Sequence, residues 1–246
     1  YEFATAIDDE FSSAWFNMGN AMMNIGKYDQ ALAAYLKTYD LEGASPETYC
    51  HMGAAYEKLE QFELAIKYYQ KGTKLDQMYH EAWYGVGVCL ALQDKWYEAI
   101  HFLNKALKLD PENGVYWKAV ADAEYKTGNL VSALDAYMEA SEMESENSEV
   151  WLDWSLIYYE QGDYQQAISI LETGLDECPS NAEMYYRSVV YMIGSGNYKS
   201  AINRLETALM LDFEGHKMLF DFFPNLPTQK ALYRIIDQFR KNEEKP

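Results

Sequence analysis

The chain has 246 residues, of which 49% are hydrophobic, and this is enough apolar material for the core of one or two domains. Its formal net charge of −19 argues against binding to the phosphate backbone of a nucleic acid. No apolar run approaches the ~20 residues of a membrane-spanning helix, and no apolar leader opens the chain, so we expect a cytoplasmic protein. Cys50, Cys89 and Cys178 are odd in number and widely spaced, which predicts free thiols in a reducing compartment.

A period of 34 residues organises most of the chain, and it gives six blocks without insertion or deletion: 12–45, 46–79, 80–113, 114–147, 148–181 and 182–215. The fourth position of every block is Trp or Tyr, and the twentieth is always Ala: Trp15, Tyr49, Trp83, Trp117, Trp151, Tyr185; Ala31, Ala65, Ala99, Ala133, Ala167, Ala201. The eighth position is held by Gly19, Gly53, Gly87, Ala121, Ser155 and Val189. Small residues at fixed places indicate helices in close approach.

Each block has the pattern of a helical hairpin. Apolar positions four, seven, eight and eleven share one face of a first helix, and positions seventeen, twenty, twenty-four, twenty-seven and thirty share one face of a second. Glycines that favour the end of a helix lie between the two, at Gly26, Gly128, Gly162 and Gly196. Because one hairpin cannot bury both of its faces, we predict an all-α fold in which the hairpins stack into a solenoid, one continuous domain over residues 1–246.

The first residues of the chain continue the same pattern. Tyr1, Ala4 and Ile7 match the apolar positions of a second helix. We therefore expect residues 1–11 to be the remnant of a preceding repeat, and the chain to be a truncated or processed fragment.

The last residues depart from the pattern. Residues 216–223 begin like another first helix, but Pro224 and Pro227 stop it. A further amphipathic helix is predicted after Thr228, its N-cap, with one face formed by Ala231, Leu232, Ile235, Ile236 and Phe239. Residues 216–241 are thus predicted to cap the last repeat, and 242–246 to form a solvated tail.

The repeated positions resemble the tetratricopeptide repeat family, whose pattern W-x-x-L-G-x-x-Y…A…F…A…P is matched in six consecutive blocks. The resemblance implies a right-handed superhelix whose first helices line a concave groove for a peptide or a partner protein. Three features depart from the family pattern: Glu124 stands at an eleventh position, Glu177 stands at a thirtieth, and only two blocks have the closing proline. We expect the packing between helices to be looser at these places.

The resemblance places block positions two, five, nine and twelve on the groove, with position six beside them. Most of these side chains are apolar or aromatic, which favours either contact between neighbouring first helices or contact with a ligand. Phe16, Tyr84, Leu152, Leu156 and Tyr186 are the expected anchors. The full predicted groove is Phe16, Asn20, Met23, Cys50, His51, Tyr84, Val88, Lys118, Asp122, Tyr125, Leu152, Asp153, Leu156, Tyr159, Tyr186, Arg187 and Val190.

The charge of these positions is mainly negative. Glu47, Glu81, Glu149 and Glu183 all occupy position two, in the first helical turn, where a carboxylate stabilises the helix dipole whatever the groove binds. The remaining groove positions are also more acidic than basic. A basic or amphipathic segment is therefore the favoured partner.

One subfamily can be excluded by its residues. Cochaperones that bind acidic C-termini resemble one another in a carboxylate clamp of Lys, Asn, Asn, Lys and Arg. Here Phe16 and His51 stand at the first Lys and second Asn places, and Glu81 and Gly85 at the final basic places. The clamp is absent, which argues against binding of an acidic tail.

The sequence holds no conventional catalytic pattern. His51, His80, His101 and His216 form no His-Glu-x-x-His pair, no Cys-x-x-Cys is present, and Gly85 and Gly87 fall inside a helix instead of a phosphate loop. We predict no cofactor, no metal and no enzymatic activity. The leading hypothesis is a non-enzymatic module that binds a protein or peptide; the alternatives are a regulatory or scaffolding segment cut from a larger enzyme or receptor, and self-association through an open repeat end.

Overall fold

The structure, a computed structural model, describes residues 9–226 and 229–243. Every regular element in these ranges is helical, with fourteen α-helices, one 3₁₀ helix and no strand. The first twelve are α1 (Ser12–Asn24), α2 (Tyr28–Glu42), α3 (Pro46–Lys58), α4 (Phe62–Leu75), α5 (His80–Ala91), α6 (Trp96–Leu109), α7 (Gly114–Lys126), α8 (Leu130–Met143), α9 (Ser148–Glu160), α10 (Tyr164–Glu177), α11 (Ala182–Gly194) and α12 (Tyr198–Leu211). The all-α class and the pairing of two helices per block are confirmed.

Each hairpin turns on one residue in the left-handed backbone region, at block position fifteen. Gly26, Gly128, Gly162 and Gly196 have φ between 73° and 83°, as the sequence predicts. In the first hairpin the N–H of Lys27 donates to the carbonyl of Met22 at 2.9 Å, which satisfies an acceptor that the helix end leaves free. Glu60 and Asp94 adopt the same conformation, at φ 58° and 59°, without the freedom of glycine.

Within a hairpin, a small residue on the first helix faces a bulky side chain on the second. A Cβ added at Gly19 would lie 2.4 Å from the ring of Tyr35, and one at Gly53 would lie 2.9 Å from the ring of Tyr69. Position eight is therefore small where the facing position twenty-four is Tyr. The alanines at position twenty are all buried, which explains why that position does not vary along this chain.

The chain divides into two compact units. Unit 1 (Tyr1–Ala136) contains α1 to α7 and the first half of α8, and unit 2 (Tyr137–Pro246) contains the rest. Within unit 1 each helix from α1 to α7 packs on the next, and the first helices α3, α5 and α7 also contact one another in order. Within unit 2 the same holds from α9 to α12, with α9 also on α11. The single continuous domain stays a prediction.

Unit 2 ends in a segment that does not repeat. A 3₁₀ helix (Glu214–Met218) and the short α13 (Leu219–Phe222) replace the predicted further first helix, and α14 (Lys230–Glu243) packs on α12. Leu232 and Ile236 are buried, and Ile235 and Phe239 pack against the same core, as predicted. Ala231, assigned to that face, is exposed instead. The expectations for Tyr1, Ala4, Ile7, Pro227 and Thr228 fall outside the described residues.

Candidate functional site

The first-helix side chains of unit 1 come together as an aromatic cluster at its N-terminal end. The rings of Phe16 and His51 meet edge to face at 4.9 Å between centroids, and Tyr35 lies 5.2 Å from His51. The hydroxyl of Tyr35 donates a hydrogen bond to Asn20 Oδ1 at 2.7 Å. Met23 packs against the same small core. Four predicted groove residues therefore share one surface, and the second-helix residue Tyr35 fixes their positions.

A cavity of about 360 Å³ opens between α3 and α5, and we call it the α3–α5 cavity. Four predicted residues line it: Cys50, His51, Tyr84 and Val88. The side chain of Cys50 is only 7% exposed, so this predicted contact residue lies at the cavity wall with little surface to offer a partner. The repeat period alone could not show this, because it does not reveal the depth of a side chain.

Further aromatic residues that the sequence analysis did not assign to the groove complete the wall. Tyr69 and Tyr79 both line the α3–α5 cavity. Tyr69 belongs to the second helix α4, and it reaches the cavity because a Cβ at Gly85 would lie only 2.3 Å from its ring. The absence of a side chain at Gly85 was the sequence signal for this close approach.

The charge of the α3–α5 cavity comes from two carboxylates, Glu57 and Glu81. The Tyr69 hydroxyl donates to Glu57 Oε2 at 3.0 Å, and Lys58 Nζ lies 3.6 Å from Glu57 Oε1. Glu81 lies at the start of α5, 3.5 Å from His80 Nδ1. No Lys or Arg is among the described residues that line the cavity.

The other titratable groups of the α3–α5 cavity are held neutral. Burial raises the pKa of Cys50 to about 12, with the charge of Glu81 adding to the effect. Burial lowers the pKa of His51, an effect that Glu47 and Glu81 oppose. Burial also raises the pKa of Tyr84. At neutral pH the field in the cavity is therefore negative.

Neighbouring first helices share part of this stripe. The ring of Tyr84 stacks on that of Tyr116 from α7, with centroids 4.6 Å apart. Lys118 Nζ donates to Asp122 Oδ2 at 3.0 Å, and Lys126 lies over the ring of Tyr125 at 5.7 Å. Contact between neighbouring first helices is thus present at Tyr84, and the stripe also leaves a cavity; contact with a ligand stays a prediction.

The first-helix side chains of unit 2 lie differently. Leu152 is 5% exposed, Tyr186 0% and Val190 2%, so the assignment of these three residues as partner contacts is corrected. Leu152 belongs to the core of unit 2. Residues at the end of the last repeat cover Tyr186: its hydroxyl donates to the carbonyl of Asp212 at 2.6 Å, and Gly215 approaches its ring.

The same terminal segment reaches the previous first helix. The ring of Phe222 meets that of Tyr159 edge to face at 5.9 Å, and Tyr159 stacks on Tyr191 at 4.7 Å. Arg187, at position six, donates to Glu183 at 2.9 Å, while Asp153 and Leu156 are half-buried. The repeat register could not reveal this cover, because Phe222 stands outside the repeats and the register does not show which side chains the end of the last repeat covers.

The remaining sequence expectations concern charge, thiols and metals. Glu47, Glu81, Glu149 and Glu183 lie in the first turns of their helices, as expected. Cys50, Cys89 and Cys178 are free thiols. In the described ranges no three His, Cys, Asp or Glu side chains are grouped as a metal site would need, and none of the helices there has the length and apolar character to cross a membrane.

Family models described as tetratricopeptide repeat match most of the repeated region. They cover residues 12–44, 46–79, 80–113, 118–182 and 158–215. No curated protein matches the chain significantly.

Several solved structures share the fold. PilF of Pseudomonas aeruginosa has a TM-score of 0.70 at 16% identity, over 83% of this chain and 93% of its own. YrrB, described as a TPR protein with an unusual peptide-binding site, has a TM-score of 0.59 at 21% identity, over 73% and 92%. MamA from Desulfovibrio magneticus RS-1 has a TM-score of 0.61 at 17% identity, over 68% and 94%. At such identities the likeness establishes the fold.

Proposed function

Because the chain belongs to the tetratricopeptide repeat family, we propose that it is a non-enzymatic protein-interaction module and that unit 1 holds a segment of its partner. The interaction module follows from the family, and the location in unit 1 rests on the α3–α5 cavity. Free thiols favour a reducing compartment, and we place the protein in the cytoplasm.

The α3–α5 cavity carries this proposal. It is the place where predicted groove residues line an open space instead of a packed core. His51, Tyr84 and Val88 are half-buried there, so each has a surface left to contact a ligand. Cavities of this size, from about 300 Å³ upward, are typical of ligand sites.

The charges favour a basic or amphipathic segment as the partner. Glu57 and Glu81 line the α3–α5 cavity, and the lysine on the neighbouring first helix, Lys118, is already paired with Asp122. The chain as a whole carries a net charge of −19, which attracts cationic segments and repels acidic ones and nucleic acids.

A peptide-display selection on the full chain tests this function. Twelve-residue peptides selected on the wild-type protein are re-measured by calorimetry on Tyr84→Ala and on Tyr97→Ala. Tyr97 is the matched control, because it is a 77% exposed tyrosine on the second helix α6. Circular dichroism verifies that both variants keep their helical content.

We expect Tyr84→Ala to weaken peptide binding by about tenfold or more, as loss of an aromatic anchor does. Tyr97→Ala should bind like the wild type. Peptides that bind the folded Tyr84→Ala variant with unchanged affinity would contradict the location in unit 1.

A further inference from the structure

We propose that the α3–α5 cavity is a specificity pocket for one arginine side chain of the partner segment. The inference rests on the proposed function and names what that surface recognises. Three features of the cavity carry it: the rings that line it, the carboxylates among them and the absence of a cation from its described lining.

The rings of the α3–α5 cavity suit a flat cation. Tyr79 and Tyr84 supply aromatic surface on the walls, whereas Tyr69, only 6% exposed, adds little surface of its own. A guanidinium group stacks on aromatic rings and is more weakly hydrated than an ammonium group, so it enters such a space at lower cost. Tyr84 is braced from behind by its stack on Tyr116, which keeps its ring in place.

The carboxylates of the α3–α5 cavity supply the acceptors. Glu57 has a side-chain exposure of 15% and is held by the Tyr69 hydroxyl, whereas Glu81 is half-exposed at the rim. A guanidinium group has five N–H donors in a fixed fork and can therefore bond to a carboxylate through two of them. His51, kept neutral by burial, offers a further acceptor nitrogen on the same wall.

None of the Lys and Arg residues that the structure describes lines this space. Lys58 lies 3.6 Å from Glu57 but is more than half exposed and does not line the α3–α5 cavity. Elsewhere in the chain a ring and a carboxylate do hold an arginine: in unit 2 the Arg204 guanidinium lies over the ring of Tyr185 at 5.5 Å and 3.4 Å from Glu172. The α3–α5 cavity has a ring and a carboxylate of the same chemical kind, at other block positions, and no arginine lines it.

Titration of the full chain with three small amides tests the pocket. The probes are N-acetyl-arginine amide, N-acetyl-lysine amide and N-acetyl-citrulline amide, the last being a neutral analogue of nearly the same shape. Binding is followed by two-dimensional NMR on the wild type, on Glu57→Gln and on Glu81→Gln. Gln at position 57 can still accept the Tyr69 hydrogen bond, so that variant is expected to fold.

The control variant is Glu98→Gln, which removes the same charge from the exposed first turn of α6. We expect the arginine probe to shift signals of residues 50–57 and 81–88, with dissociation constants in the millimolar range for so small a ligand. Glu57→Gln should weaken it about tenfold and Glu81→Gln about threefold, whereas Glu98→Gln should not change it. The citrulline and lysine probes should bind clearly more weakly.

Three results would contradict the proposed arginine pocket. They are equal binding of citrulline, equal binding of lysine, and an effect of Glu98→Gln as large as that of Glu57→Gln. If display-selected peptides require Tyr84 but bind equally well with their arginines replaced by citrulline, the proposed function stands and the arginine pocket falls. If the arginine probe binds as expected but Tyr84→Ala does not weaken binding of the selected peptides, the result contradicts the proposed location of the partner segment in unit 1.

Discussion

Two identical pairs of residues occupy the same block positions in the two units and have different surroundings. Tyr84 and Val88 stand at positions five and nine of the third block, and Tyr186 and Val190 at the same positions of the sixth. The first pair is half-buried and lines the α3–α5 cavity, whereas the second is buried in the core of unit 2. The difference teaches that repeat position sets the direction of a side chain, and its neighbours decide whether it is available to a partner.

The cause of the difference lies at the end of the last repeat and in the residues that follow it. Asp212 accepts the hydrogen bond of Tyr186, Gly215 approaches its ring, and Leu219 and Leu226 are fully buried in the same unit. Leu219 and Leu226 belong to a segment that does not repeat, whereas the third block is followed by another repeat. Unit 2 therefore uses these positions for its own stability, whereas unit 1 leaves them at the wall of a cavity.

Replacing Tyr186 and Tyr84 with alanine should give the largest difference between the two units. Tyr186→Ala removes a fully buried ring and its hydrogen bond, and we expect it to lower the free energy of unfolding by about 3–5 kcal/mol. Tyr84→Ala removes a half-buried ring, and the loss should be about 1–2 kcal/mol. Urea unfolding followed by circular dichroism measures both, and equal losses would contradict the assigned roles.

Gly85→Ala sharpens the account of the α3–α5 cavity. In an exposed helix interior this change adds about 1 kcal/mol of stability, but here the new Cβ would lie 2.3 Å from the ring of Tyr69. We expect a net loss of about 1–3 kcal/mol from overpacking, together with weaker peptide binding as Tyr69 moves. Thermal unfolding and calorimetry give the two readouts, and a stabilised variant would show that Tyr69 is not held at this wall.

The turns offer a smaller contrast. Unit 2 uses glycine at its left-handed turns, Gly162 and Gly196, whereas unit 1 has Glu60 and Asp94 at two of its own. Glu60→Gly should stabilise the chain by about 1 kcal/mol because it removes the steric cost of a Cβ at positive φ. Asp94→Gly should gain less, since Asp tolerates this region better, and Gly128→Ala should destabilise. Melting temperatures of the three variants check the order.

The smallest expected effect concerns His51 at position six of the second block, a position that Asp153 and Arg187 hold in unit 2. Burial lowers the pKa of His51, with Glu47 and Glu81 opposing the shift, so the unfolded chain takes up this proton at a higher pH than the folded chain. The free energy of unfolding should therefore fall as pH drops through about 6.5, the usual histidine value. His51→Gln should flatten that slope between pH 7.5 and 5.5 in urea titrations; an unchanged slope would mean that this imidazole is protonated alike in both states.

Much of the fold could be predicted from the sequence because its signals recur. Trp or Tyr at position four, Ala at position twenty and glycine in the turns repeat at fixed spacing, and each has a local physical cause in helix packing or turn geometry. The turns at Glu60 and Asp94 were missed because their residue types give no sign of a left-handed conformation. The chain still forms a turn at both positions, because the hydrogen bonds at the end of the first helix are made there as in the other hairpins.

The candidate site was only partly predictable. His51, Tyr84 and Val88 were placed by repeat register, and they do line one cavity. Tyr69 and Tyr79 were missed because they come from outside the first helices, and Tyr186 and Val190 were misassigned because they are buried in the core of unit 2. Burial of this kind depends on contacts between distant residues, which a local period does not encode.

The matched valines give the most direct test of the central claim. Val88→Ala and Val190→Ala make the same change at the same block position, and both variants are measured for unfolding in urea and for affinity to the display-selected peptides. We predict that Val88→Ala weakens peptide binding about threefold with little change in stability, whereas Val190→Ala lowers the free energy of unfolding by about 1–2 kcal/mol and binds normally. The reverse result, with binding lost at Val190 and stability lost at Val88, would contradict the division of roles between the two units.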